Sequence, residues 1–95
     1  MDKILNNLGL CNRARGLVSG EEIVCDHMAK GKVKYVFLAN DASDNAKKKI
    51  LNKAKFYSVE VNEEYSSFEL SYAIGKTGRM VIGITNENFL KILKK

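Results

Sequence analysis

The chain contains no proline, a single histidine (His27), and only two cysteines, Cys11 and Cys25. Without proline, helix ends have to be set by glycine and by capping side chains. A lone histidine, with no cysteine pair at metal spacing, makes no metal site, and no nucleophile stands beside a base that could activate it. His27 therefore reads as a packed side chain, and enzymatic chemistry has no residues to carry it. The cysteines lack C-x-x-C spacing and fall on predicted helices, which fits small buried residues rather than a disulfide framework or a redox pair. No apolar run reaches the roughly 18 residues of a membrane span. The start, Met1-Asp2-Lys3-Ile4-Leu5, turns polar at Asn6-Asn7 and lacks the apolar centre and cleavage site of a signal peptide. The expectation is a cytoplasmic protein with no cofactor, no metal, no membrane contact and no small-molecule substrate.

What the chain does have is positive charge. Sixteen Lys and Arg against eleven Asp and Glu give +5 over 95 residues. That length predicts one domain over residues 1–95, with a modest core but no room for a deep enzyme cavity. A hydrophobic fraction of 45% argues against disorder. The basic balance points to an anionic partner, of which nucleic acid is the commonest.

Apolar spacing and glycine positions predict alternating helices and strands. Asp2 to Arg15 reads as a helix with Ile4, Leu5, Leu8, Cys11 and Ala14 on one face, ended by Gly16 as its C-cap. Leu17-Val18-Ser19 is a short strand. Gly20 to Lys30 is a helix burying Ile23, Val24, His27 and Met28, stopped by Gly31. Tyr35 to Ala39 is an unbroken apolar strand, as expected where both sheet faces are covered. The Asn40-Asp41-Ala42-Ser43-Asp44 loop opens a helix from about Ser43 to Lys55, with lysines on its outer face. A strand follows at Tyr57 to Val61, a helix at Ser66 to Ile74 ended by Gly75, a buried strand at Met80 to Ile84, and a closing helix at Glu87 to Lys94 with Phe89, Leu90 and Leu93 inward. The alternation predicts an α/β fold, a three-layer α/β/α sandwich around a small mixed, largely parallel sheet.

Two turns attract attention. At Ser19-Gly20-Glu21-Glu22, helix capping alone accounts for the residues: Ser19 can cap, Gly20 eases the turn, and acids suit the first turn of a helix. The same geometry presents backbone N–H groups to phosphate or sugar oxygens, and carboxylates that can accept from base edges. Gly75-Lys76-Thr77-Gly78-Arg79 resembles half a P-loop. The full GxxxxGK[ST] pattern needs glycine where Leu70 stands, and this loop follows a helix and precedes a strand, the reverse of a P-loop. Nucleotide hydrolysis is rejected. What is left is a flexible loop whose Lys76, Thr77 and Arg79 suit phosphate contact, or a helix end with solvated charges. Arg13 and Arg15 close the first helix, where cations also suit the helix dipole. Lys30, Lys32 and Lys34 flank the central strand, and Lys47, Lys48, Lys49, Lys53 and Lys55 crowd the third helix; such a run is ordinarily a solvated face.

The order of elements, the LVSGEE turn (17–22), the Lys30-Gly31-Lys32-Val33-Lys34 approach to an apolar strand, and Leu38-Ala39-Asn40-Asp41-Ala42-Ser43 together resemble the kink-turn RNA-binding superfamily of ribosomal proteins, and within it the small bacterial YlxQ-type members. The resemblance runs over essentially the whole chain and rests on the ordered set of features rather than on one motif. It implies an α/β/α sandwich that grips a sharply bent RNA flanked by tandem sheared G·A pairs, using the turn from the first strand into the second helix and the loop before the last strand. Gly20 matches the glycine of the motif, Gly-x-Asn-Glu in its archaeal form. Glu22 then falls on the asparagine that reads base edges, Ile23 on the glutamate, and Asp26 on a lysine. The loop before the last strand is apolar in archaeal members and basic here. Gly-Glu-Glu is the form associated with the YlxQ type. Asp26 trades attraction for repulsion wherever that side chain faces phosphate, and the basic loop offsets this while raising salt dependence.

The resemblance thus implies a non-catalytic RNA-binding, ribosome-associated protein. Ser19, Gly20, Glu21 and Glu22 would lie at the bases, Lys76, Thr77 and Arg79 on the backbone, and Arg13, Arg15 and Lys30 would add supporting charge. The alternative is a protein-interaction module that uses the same edge.

Overall fold

The computed structural model describes residues 3–93. The expected helix ends at Asp2 and Lys94, and the inward placement of the Leu93 side chain, lie outside the described residues. Elements alternate as the spacing predicts: α1 (Lys3–Arg13), β1 (Leu17–Ser19), α2 (Glu21–Ala29), β2 (Tyr35–Leu38), α3 (Asp44–Phe56), β3 (Glu60–Asn62), α4 (Ser67–Ala73), β4 (Val81–Ile84) and α5 (Glu87–Leu93). α2 packs on α3 over one face of the sheet, and α1 packs on α4 and α5. This is the expected three-layer sandwich.

The sheet order is β1-β4-β2-β3. The sheet is mixed, but it is not largely parallel. β2 pairs parallel with β3, whereas β4 runs antiparallel to both β1 and β2. The reason is topological. β1, β2 and β3 all run the same way, as helical crossovers require, but β1 and β2 are not neighbours. β4 enters reversed in the slot between them and turns one expected parallel pairing into two antiparallel ones.

That slot is the centre of the core. Every residue of β2 and β4 is buried, and Val36, Phe37, Leu38, Ile82, Leu8, Ile50 and Leu70 are sealed from solvent. Gly83 sits opposite the α2 layer, where a Cβ would come within 3.0–3.3 Å of Val33 and Val24. The glycine lets α2 lie close on the sheet.

Two helix ends differ from expectation because a non-glycine residue takes the left-handed position. α1 stops through paired bonds from Arg15 N to Asn12 O (3.0 Å) and from Gly16 N to Cys11 O (2.8 Å). This is a Schellman motif. Its left-handed residue is Arg15, at φ 57, rather than Gly16. Gly16 is required for space, since a Cβ would lie 2.7 Å from Asn86 Cβ and 2.9 Å from Cys11 Sγ. Ala14 lies beyond the helix and is exposed. α3 ends the same way on Ser58, at φ 58, with Val59 N bonded to Ala54 O at 2.7 Å. The motif absorbs Tyr57 and Ser58, so β3 starts at Glu60 rather than Tyr57. In α2 the inner stripe is Val24, Cys25 and Met28, while Ile23 is 50% exposed and His27 half-buried. The buried face is rotated by about one residue from the predicted one. His27 Nδ1 instead lies 2.9 Å from the Ile23 carbonyl on its own helix.

Candidate nucleic-acid interface

The position of β4 decides which loops meet. Its first residues lie between the last residues of β1 and β2, so three connections converge there. Gly20 N donates to Val81 O (3.0 Å), and Ala39 N donates to Met80 O (2.8 Å). The β1–α2 turn and the β2–α3 loop are thus bonded to successive carbonyls at the head of β4. The loop that carries Lys76, Thr77 and Arg79 leads directly into that point.

Gly20 is the N-cap of α2, at φ 109 and ψ 140, with no side-chain cap bond. Ser19 therefore does not cap the helix. It belongs to β1, in register with Ile82, and the turn is made by backbone alone. The Arg79 guanidinium lies across the turn, with Nη1 3.8 Å from where a Gly20 Cβ would stand. Ser71 fixes the Arg79 backbone on both sides: its hydroxyl accepts from Arg79 N (2.8 Å) and donates to Arg79 O (3.1 Å). Arg79 Nε is buried and without a hydrogen-bond partner. A buried guanidinium N–H with no acceptor is costly, and the same guanidinium lies beside Gly20.

Glu21 is half-buried and Glu22 exposed. Lys49 of α3 reaches Glu21 Oε1 at 3.8 Å. At that distance, with both side chains partly exposed, the pair is weak. Lys76, Thr77 and Gly78 are exposed. The β2–α3 loop is anchored by Asp41, whose carboxylate accepts from Ser67 N (2.7 Å) and Ser67 Oγ (2.8 Å). Those bonds hold the Asp41 carboxyl below its usual range.

Ser19, Gly20, Glu21, Glu22, Lys76, Thr77 and Arg79 therefore gather at one end of the sheet. Arg15 and Lys30 do not. Arg15 lines a groove with Gly31, Lys32 and Thr85 at the opposite end of β4, and the length of α2, about 15 Å at 1.5 Å per residue, separates Gly20 from Lys30. Lys30 is instead bonded to Asp26 at 2.9 Å, which lowers the Asp26 pKa. Arg13 borders a different groove, between α1 and α4, beside Leu10 and Tyr72.

Sequence reasoning missed Lys49, Ser71, and the exposed apolar residues Ile23 and Met80 near the turn. Lys49 was hidden within a lysine run, and nothing local marks Ser71 as the clamp on Arg79. Burial pushes the Cys11 thiol up to about 11 and raises that of Cys25, so both are protonated near neutral pH. Among the described residues, no group of three or more His, Cys, Asp or Glu could hold a metal ion, and no helix is long and apolar enough to cross a membrane.

Comparison with known proteins follows the same outline. The model of the ribosomal protein L7Ae/L30e/S12e/Gadd45 family matches residues 2–94. An RNA-binding protein YlxQ of Enterococcus faecium is 42% identical over 93 residues, covering 98% of this chain and 89% of the relative. An RNA-binding protein YlxQ of Bacillus subtilis (strain 168) is 40% identical over 82 residues, 86% of this chain and 82% of that one. Among solved structures, a protein of unknown function from Bacillus halodurans C superposes with a TM-score of 0.94 at 39% identity, covering 99% of this chain and 95% of the other. The Giardia lamblia 15.5kD RNA binding protein shares the fold, with a TM-score of 0.81 at 16% identity over 98% of this chain and 86% of its own.

Proposed function

Because the chain belongs to the ribosomal protein L7Ae/L30e/S12e/Gadd45 family, we propose that it binds RNA, without catalysis, through the surface at the head of β4. The observation that carries this reading is the convergence of the Gly20 turn with Arg79: a backbone-built helix start that leads into two glutamates, with the Arg79 guanidinium 3.8 Å from where a Gly20 Cβ would stand and the Arg79 backbone held by Ser71. Relatives at about 40% identity are named RNA-binding proteins, which supports the same partner.

The mixed sign of the surface indicates how RNA would sit. Carboxylates repel phosphate, so Glu21 and Glu22 suit the amino and imino edges of unpaired or non-Watson–Crick bases. Arg79, Lys76 and Thr77 suit the sugar–phosphate backbone passing beside them. An RNA that brings base edges and a folded-back backbone to one small patch is sharply bent. We assign as target a kink-turn-like element with sheared G·A pairs, with ribosomal RNA as the first source to test. Ser19 serves by holding the turn in the sheet. Arg15 and Lys30 lie outside this interface, and Arg13 lies beside it.

A gel-shift titration against a kink-turn RNA, and against a control lacking the sheared G·A pairs, tests the reading at two salt concentrations. Tighter binding to the kink-turn RNA at both is expected. Equal, salt-sensitive binding to both would reduce the surface to nonspecific charge. No binding to either would favour a protein partner at the same edge.

A further inference from the structure

α4 carries two large aromatic side chains on its outer face, one turn apart. Phe68 is 76% exposed and Tyr72 is 65% exposed. The two rings are stacked with an offset, their planes within 16° of parallel and their centroids 6.2 Å apart, so a flat molecule can extend the stack on an exposed ring face. They form one wall of an open groove of about 320 Å³, completed by Ser67, Ser71, Lys76, Thr77 and Gly78; the Asp41 carboxylate at its edge is taken up by bonds from Ser67 N and Oγ. The opposite wall is therefore the loop that ends in Arg79. Beyond Tyr72 the apolar surface continues to Leu10, 51% exposed, and meets Arg13.

Exposed aromatic area of this size, in a domain that seals its core well, marks an interaction surface. Charge selects the occupant. Lys76 and Arg13 flank the rings, and residues 75–80 contain no acid. The one carboxylate on α4, that of Glu69, accepts from Ser66 N in a capping box. Planar aromatic faces beside a basic track are the two components of single-stranded nucleic acid binding. A protein partner would need apolar bulk but gives no reason for the cations.

We propose that Phe68 and Tyr72, with Lys76 alongside, form a stacking platform for unpaired nucleotides that continue from the bent RNA. This rests on the RNA-binding reading above, because the two surfaces share the 76–79 loop. It extends that reading from a bent duplex to the single strand beside it, and it gives the α1–α4 face a role that the β4 head does not require.

The test uses the full chain and kink-turn RNAs that are blunt, carry about four unpaired nucleotides on either strand, or carry the same extension without bases. Wild type should bind one extended RNA roughly tenfold more tightly than the blunt one, as expected for a stacked base. The baseless extension should lose that gain. Phe68→Ala and Tyr72→Ala, both at exposed positions, should lose it while binding the blunt RNA as wild type does. An absent gain, a gain that survives either substitution, or a gain that survives removal of the bases overturns the platform. Should wild type fail on the blunt RNA, the primary site is wrong. The platform is then judged on a free single-stranded oligonucleotide, whose binding must depend on Phe68 and Tyr72. Self-association that both substitutions abolish, with RNA binding unchanged, also overturns it.

Discussion

Substituting alanine at Gly20 separates backbone shape from side-chain chemistry more cleanly than any charge change. Gly20 sits at φ 109 and ψ 140, a region open almost only to glycine, and forcing another residue there costs about 1–3 kcal/mol. Crowding adds little, because the nearest atom to a new Cβ would be Arg79 Nη1, at 3.8 Å. Against a typical stability of about 5–15 kcal/mol, the variant should stay folded, with its melting temperature lowered by roughly 5–20 °C. Relief of the strain must move the turn and lengthen the Gly20 N to Val81 O bond of 3.0 Å. It also shifts Glu21, Glu22 and the guanidinium across from them.

Gly31→Ala is the control. Gly31 also has positive φ, 73, and a Cβ there meets nothing within 4 Å, so it should cost about 1 kcal/mol. It lies at the far end of α2, away from the proposed interface. Urea melts and kink-turn gel shifts on both variants give the comparison. Gly20→Ala should weaken RNA binding at least roughly tenfold, about 1.4 kcal/mol, while Gly31→Ala leaves it unchanged. Equal losses of stability with equal, unaltered RNA binding would show that the Gly20 turn is ordinary helix capping, and the assigned surface would be wrong.

Other outcomes follow from the same geometry. Arg79→Ala should weaken RNA binding by about tenfold and flatten the salt dependence by roughly one ion, whereas Arg15→Ala, at the opposite end of β4, should change neither; reversed behaviour in filter-binding salt titrations would move the interface to the other end of the sheet. Gly9→Ala places a Cβ 2.9 Å from the backbone oxygen of Ala73. Because backbone cannot swing aside, α1 and α4 must separate at about 1–3 kcal/mol, and an unchanged urea midpoint would contradict that close approach. The Asp41 carboxyl is held below 3.8 by its bonds to Ser67. Its stabilisation is therefore present above the unfolded value and is lost as pH falls through the lower folded value. Asp41→Asn should lower the melting temperature at pH 7 and narrow the gap to wild type as pH falls below the ordinary aspartate range, and a gap that stays constant on acidification would rule out the linkage.

The fold was legible where a single physical cause dominated. The unbroken Val36-Phe37-Leu38 run could only be a strand covered on both faces, and Gly31 and Gly75 end their helices as glycines do. It was illegible where an unfavourable local choice is imposed by packing. Arg15 and Ser58 take left-handed conformations that their side chains do not favour, so Gly16 marked the first end two residues late and no local signal could delay β3 to Glu60. The antiparallel slot of β4 was hidden for another reason. Apolar pattern fixes which faces of a strand are covered, but strand order is chosen by nonlocal packing. The site divides the same way: the Gly20 turn and the basic loop could be read from residue types, while their meeting depends on where β4 enters the sheet.

On the proposed RNA-binding reading, that dependence singles out Arg79, rather than the lysine-rich α3, as the cation to test first. Lysines on a helix face are solvated and mobile, and Lys49 reaches Glu21 only at 3.8 Å. Such charges raise affinity for any polyanion. Arg79 is held differently. Its backbone is bonded at both ends to the hydroxyl of Ser71, which is 5% exposed, and its Nε is buried beside a turn that has no side chain. An arginine whose backbone is held in this way has less freedom left to lose when its guanidinium meets an acceptor of the right shape. Selectivity for a bent RNA over a straight one should therefore reside in the Ser71–Arg79–Gly20 arrangement, and Ser71→Ala should test this without touching the RNA. It removes both bonds to Arg79 but no charge, so discrimination between the kink-turn RNA and its control should fall while the salt dependence stays as in wild type.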